Sequence, residues 1–207
     1  MTEPVEIARS YEEATPGVWH WRIHNRAIGG SISSSQLVAA NGEVVLVDPV
    51  QLAPEALAAL PRPTAVCLTA KCHQRSAWRY RQELGAPVWA PQGTAPMDEE
   101  PDRRYGAGDT LPGGLLAVHT PGPEEVHFCL LLQRDEGGVL LCSDLLRRGE
   151  DGDVDFVPLQ YHDDPEATRR SVERLLDLAF AVLCLDHGPP VGDDPKAAIR
   201  ALLERTA

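Results

Sequence analysis

Apolar positions along this chain come in short runs whose period changes from two to that of a helix. Residues 18–24, VWHWRIH, alternate as a strand does, with Val18, Trp19, Trp21 and Ile23 supplying much of the apolar surface. Ile32 to Ala39 and Glu43 to Val47 predict a hairpin turned at Asn41-Gly42, a pair suited to the left-handed backbone of a tight turn. Ala53 to Leu60 predicts a short helix stopped by Pro61, and Ala65 to Leu68 a short buried strand bounded by Pro63 and Thr69. A helix is expected from Ser76 to Leu84, with Gly85 just past it where a left-handed C-terminal cap belongs, and a strand at Val88-Trp89-Ala90. Gly114 to His119 predicts a strand, Val126 to Gln133 and Gly138 to Cys142 a second hairpin, and Ala181 to Leu185 a buried strand. Asp164-Pro165 opens a helix running to about Leu178; Asp194-Pro195 opens the last one, with Asp194 as cap and Pro195 at its first position. Residues 91–110 read as a surface excursion and 147–155 as a charged loop. Periodicity alone therefore predicts a mixed α and β chain.

Composition narrows the functional classes. A chain of 207 residues suits one domain, 1–207, and is long enough to bury a core. A formal charge of −12 weighs against a nucleic-acid surface that tracks phosphates. No apolar run approaches the roughly 18 residues that span a bilayer, and the N-terminal MTEPVEIARSYEE is too acidic and polar for a signal peptide. The five cysteines are odd in number, and four lie in apolar strand-like runs, as reduced buried thiols do. The expectation is a cytoplasmic protein with no nucleic-acid or membrane partner.

Between the strand at Ala65 and the helix at Ser76 lies a dense polar cluster: Lys71, Cys72, His73, Gln74 and Arg75. Loops at the carboxyl ends of strands are where α/β proteins bind ligands. The flanks of this loop, Leu68-Thr69 before it and Gly85-Ala86-Pro87-Val88-Trp89-Ala90-Pro91 after the helix, resemble the metallo-β-lactamase fold family. That family reads T-H-x-H-x-D-H, a helix, then G-A-P-V-x-A-P. His119-Thr120-Pro121-Gly122-Pro123 resembles its x-T-P-G-H. Leu140-Leu141-Cys142-Ser143-Asp144 resembles the strand ending in a metal-bridging aspartate, and Asp186-His187-Gly188 the G-H-G that carries the last ligand. Leu46-Val47-Asp48-Pro49 resembles a strand end whose aspartate supports the site. The resemblance implies an α+β, αββα sandwich: two mixed β-sheets face to face, with helices on the outer faces.

The ligands themselves depart from the pattern. Ala70, Cys72, Gln74, Arg75 and Pro123 stand at five ligand positions, and Asp144 and His187 match. Alanine and proline side chains offer no donor, glutamine a weak one, and arginine repels a dication. No dinuclear zinc centre, and no cofactor, is expected; the alternative is one zinc or similar divalent ion on Cys72, Asp144 and His187, with His127 as a possible fourth ligand. Without a metal, Asp144 needs a countercharge, for which Arg75 is the first candidate and Lys71 the second, with Gln74 and Asp48 lining the same cleft. His73, next to Cys72, is expected to point to the other side of the loop, and His20, His24 and His162 carry no motif.

Three functions stay open. The cleft of a degraded metal centre binds a small molecule or a protein partner; a reduced one-metal site hydrolyses esters, thioesters or lactones; or Cys72, before a helix and near Lys71 and Arg75, acts as a metal-free nucleophile with His187 and Asp144. Metal content separates the second from the others, and thiol labelling separates the third from the first.

Overall fold

The computed structural model describes residues 3–149 and 152–206. Its first sheet has seven strands, in spatial order β1 (Glu12–Thr15), β2 (Val18–Asn25), β3 (Ser31–Ala40), β4 (Glu43–Val47), β5 (Ala65–Cys67), β6 (Val88–Pro91) and β7 (Arg103–Tyr105). The first four pair antiparallel and the rest parallel. The second sheet holds β8 (Thr110–Leu111), β9 (Leu115–His119), β10 (Phe128–Leu132), β11 (Gly138–Arg148), β12 (Val154–Phe156) and β13 (Phe180–His187), with β13 parallel to β11. Helices α1 (Pro54–Ala58) and α2 (Ala77–Leu84) belong to the first half, and α3 (Pro165–Leu175) and α4 (Pro195–Arg205) to the second.

Side-chain alternation builds the layers. In β10, Phe128, Leu130 and Leu132 enter a core shared with Val18, Val38, Val45 and Val47 of the first sheet, while Cys129 and Leu131 face α3 and α4. In β3 and β4 the same period sends Leu37 and Leu46 outward to the layer of Trp78 and Tyr80 on α2. A strand covered on both faces reads as a continuous apolar run, which is why FCLLL does not alternate. Three cores in sequence, helix on sheet, sheet on sheet and sheet on helix, make the αββα sandwich that the resemblance implies.

The local signals act as expected at most ends. Asn41 and Gly42 have φ of 51° and 77°, and Gly85 caps α2 at φ 71°. Asp194 Oδ1 accepts from Ala197 N at 3.0 Å to cap α4. Three stretches differ. Within the expected excursion 91–110, Arg103–Tyr105 is an edge strand because Tyr105 is buried and its hydroxyl donates to Leu68 O at 2.6 Å. Much of the expected loop 147–155 is paired strand, since β11 runs on to Arg148 and pairs with β12; residues 150–151 of that loop lie outside the described residues. A strand at Glu12–Thr15, in the polar N-terminal stretch, is held by its partner β2 rather than by any pattern of its own.

Candidate metal centre

The site lies where the C-terminal ends of β4 and β13, the β5–α2 loop and the interior of β11 at Asp144 meet. Phe128 N donates to Thr69 O at 3.0 Å and Ala70 bridges to His127, so the loop of the first sheet is stitched to the second sheet. Lys71–His73 forms a single 3₁₀ turn. A 3₁₀ turn advances each residue by about a third of a circle, which lets two neighbours, Cys72 and His73, reach the same carboxylate. His73 therefore does not point away, as an extended loop would have it.

Asp144 is the hub. His73 Nε2 is 3.1 Å from its Oδ1, His187 Nε2 is 2.8 Å from the same oxygen, and Cys72 Sγ donates to Oδ2 at 3.3 Å. The outer ring nitrogens are pinned from behind. His73 Nδ1 lies 3.0 Å from Asp48 Oδ2, and His187 Nδ1 lies 2.6 Å from Ile32 O. Carbonyl and carboxylate oxygens accept, so each Nδ1 donates to the oxygen behind it, and each Nε2 is aimed at Asp144 and donates to its carboxylate in the metal-free protein. Asp48 is fixed in turn: Thr69 N donates to Oδ1 at 2.8 Å and Thr69 Oγ1 to Oδ2 at 2.5 Å. Asp48 holds a left-handed backbone, φ 45°, at the end of β4. Ser143 Oγ, 3.0 Å from His73 Nδ1, closes the ring.

Arg75 does not reach Asp144 as expected. Its own φ is 37°, and its buried side chain turns beneath the loop. Nη1 donates to Ser34 O at 2.8 Å and Asp48 O at 2.9 Å, and Nη2 is 3.2 Å from Asp186 Oδ2. Asp144 takes its countercharge from histidine instead, and among the described residues Lys71 makes no ion pair. Gln74 leaves the cleft: its Oε1 accepts from Trp78 Nε1 at 3.2 Å and Asp98 N at 2.7 Å, tying α2 to the next loop. His127 is close but engaged. Its Nε2 accepts from Asp144 N at 3.1 Å and its Nδ1 donates to Thr120 O at 2.9 Å, so it has no lone pair to give an ion. Burial holds it neutral, down at about 4.

Electrostatics follow from this crowding. Burial and Arg75 push His73 down, yet Asp144, Cys72 and Asp48 outweigh them and hold it well above its ordinary value. Burial pushes Asp144 up, but His73 and His187 bring it well below the carboxylate range. Burial pushes Asp186 up to about 7, with Arg75 opposing and Asp48 adding to the rise. Burial pushes the Cys72 thiol up to about 12.

Among the described residues there are two donor groups. Cys72, His73 and Asp144 have ligand atoms within 4.8 Å of one another, and so do Asp48, His73 and Asp186. The first, joined by His187, fits one divalent ion: sulfur, two imidazole nitrogens and a carboxylate are zinc donors, and the two imidazoles already present Nε2. The family's dinuclear arrangement does not fit, because Ala70 and Pro123 offer no donor, Gln74 points elsewhere and Arg75 brings a fixed charge. His73, Asp186 and the carbonyls of Ile32 and Ser34 were not in the set expected from sequence. His73 sits at a variable position of the family motif, and its role depends on the 3₁₀ turn.

The four-layer sandwich and a donor cluster at one edge of its two sheets define the class: an αββα protein of the metallo-beta-lactamase fold. A profile of the metallo-beta-lactamase superfamily matches residues 70–187, and the chain belongs to that superfamily. Solved structures agree on the fold. A metallo-beta-lactamase from Pontibacter korlensis superposes with a TM-score of 0.73 at 16% identity, over 94% of this chain and 98% of its own. One from Hirschia baltica gives 0.70 at 14% identity over 97% and 98%. A metallo-beta-lactamase family protein from Thermus thermophilus gives 0.65 at 21% identity over 93% and 78%. No curated protein sequence matches.

Proposed function

We propose that the chain is a one-metal member of this superfamily that hydrolyses small ester, thioester or lactone substrates. The observation that carries the reading is the convergence of Cys72, His73 and His187 on Asp144, with both imidazoles oriented by oxygen partners behind them. Cys72, His73, Asp144 and His187 would hold a zinc or similar divalent ion, which would supply Lewis acidity and make water more acidic. The protein's own residues do the rest. Asp48 and Ile32 O keep the imidazole Nε2 atoms aimed inward, and His127 fixes the backbone N–H of Asp144. The side chains of Asp144 and His187 are 19% and 17% exposed, so a small substrate reaches the centre from solvent. The Cys72 nucleophile is disfavoured, since a thiol held at about 12 is not a thiolate at neutral pH. The reading takes residues 1–207 as one unit, with a small molecule rather than a protein in the cleft. A reducing, cytoplasmic compartment suits five free cysteines. No helix among the described residues is long and apolar enough to cross a membrane.

Elemental analysis and zinc titration of the purified chain test this. One equivalent per chain is expected, weakened by about 10-fold or more in His73→Ala and His187→Ala and little changed in His24→Ala, an exposed histidine outside the site. Failure to bind zinc, or binding indifferent to His73→Ala, overturns the one-metal reading. Turnover is then sought with thioester, aryl ester and lactone panels. A zinc-loaded protein that hydrolyses none of them leaves a metal centre that binds rather than cleaves.

A further inference from the structure

The second donor group, Asp48, His73 and Asp186, already has an occupant. We infer that this group is a cation cage and that the chain fills it with its own Arg75, which stands in place of a second metal ion. The guanidinium lies 3.2 Å from Asp186 Oδ2 and spends two more donors on Ser34 O and Asp48 O. Those contacts clamp the strand end that carries Asp48, and Asp48 in turn orients His73. Asp186 Oδ2 is buried and receives no hydrogen bond of good geometry, so charge alone holds it. His73 Nδ1 is also 3.2 Å from that oxygen. Two fully buried carboxylates, Asp48 and Asp186, and the partly exposed Asp144 thus face Arg75 and His73. An uncompensated carboxylate there is costly, so without Arg75 the cage has to take up another cation or a proton. Arginine is suited to it because a planar fork meets a carboxylate and two carbonyls at once, which a lysine ammonium cannot.

This differs from the one-metal reading, which concerns the group around Cys72, and the two fail separately. The test is chemical rescue of Arg75→Ala in chelator-treated buffer. Removing the buried charge should lower the melting temperature by about 10 °C. Millimolar n-propylguanidinium should restore much of that loss in Arg75→Ala and leave wild type unmoved; neutral n-propylurea should restore nothing. With the chelator removed, Arg75→Ala should take up one more equivalent of zinc per chain than wild type does. A folded Arg75→Ala that neither propylguanidinium nor zinc stabilises overturns the inference. Should Arg75→Ala fail to fold, Arg75→Lys and Arg75→Met decide: the lysine variant, keeping a charge, should melt well above the methionine variant, and equal losses overturn it. Rescue of Arg75→Ala in a protein whose wild type binds no zinc would remove the one-metal reading and keep this one.

Discussion

Cys72 and His20 show how far burial sets what a side chain does. In the metal-free protein, desolvation keeps the Cys72 proton in place, even beside His73. Alkylation with iodoacetamide at neutral pH should therefore be far slower than for a model thiol, and should accelerate only as pH rises well past the ordinary thiol value. Rapid labelling at neutral pH would restore the nucleophile reading. His20 lies between the sheets with neither ring nitrogen hydrogen-bonded. Burial lowers its proton affinity, Glu12 opposes that and Arg22 adds to it. Its folded-state value is below the unfolded one, near 6.5. Stability is thus fully present above that pH and is lost as pH falls toward the folded value, because the unfolded chain then binds the extra proton. Urea midpoints measured down through mild acid should fall less steeply in His20→Leu than in wild type; parallel curves would rule His20 out as the source.

At the scale of elements, the site depends on how β13 ends. Gly188 follows His187 with φ 138°, a region closed to most side chains, and a Cβ there would sit 2.7 Å from Arg148 Cβ. Gly188 O also accepts from Ser34 Oγ at 3.2 Å, which ties β13 to β3 across the two sheets. Gly188→Ala should cost about 1–3 kcal/mol of stability and weaken zinc uptake by shifting His187. Gly192→Ala, where a Cβ meets nothing within 4 Å, is the matched control and should change neither. Equal zinc affinities in the two variants would show that the His187 position does not depend on this close approach.

At the scale of the molecule, the sheet-on-sheet core holds the two halves of the site in register. Leu130 is fully buried between Val38, Val45 and Val47 of one sheet and Leu141 of its own. Leu130→Ala should destabilise by about 2–5 kcal/mol, read from denaturant midpoints at unchanged m-value, because the sheets cannot collapse around the gap. Several features of this architecture were legible in the chain. AVC read as a buried strand, FCLLL as part of a hairpin arm, Asn41-Gly42 as a hairpin turn, Gly85 and Asp194 as caps, because each rests on neighbours within a few residues. The family-like frame around residues 65–91 likewise indicated the αββα sandwich and the loop that carries the site. What the chain alone determined was thus its local geometry, its class, and the absence of enough donors at the family's own ligand positions. Which charges meet was decided only by the fold. Arg75 and Asp144 are paired in the motif but not in space, since a left-handed residue and a 3₁₀ turn send Arg75 to Asp186 and bring His73 to Asp144 instead. Contacts between residues 48, 73, 144 and 187 join the ends of two strands, a 3₁₀ turn and the interior of a third strand, and no periodicity in sequence carries that information.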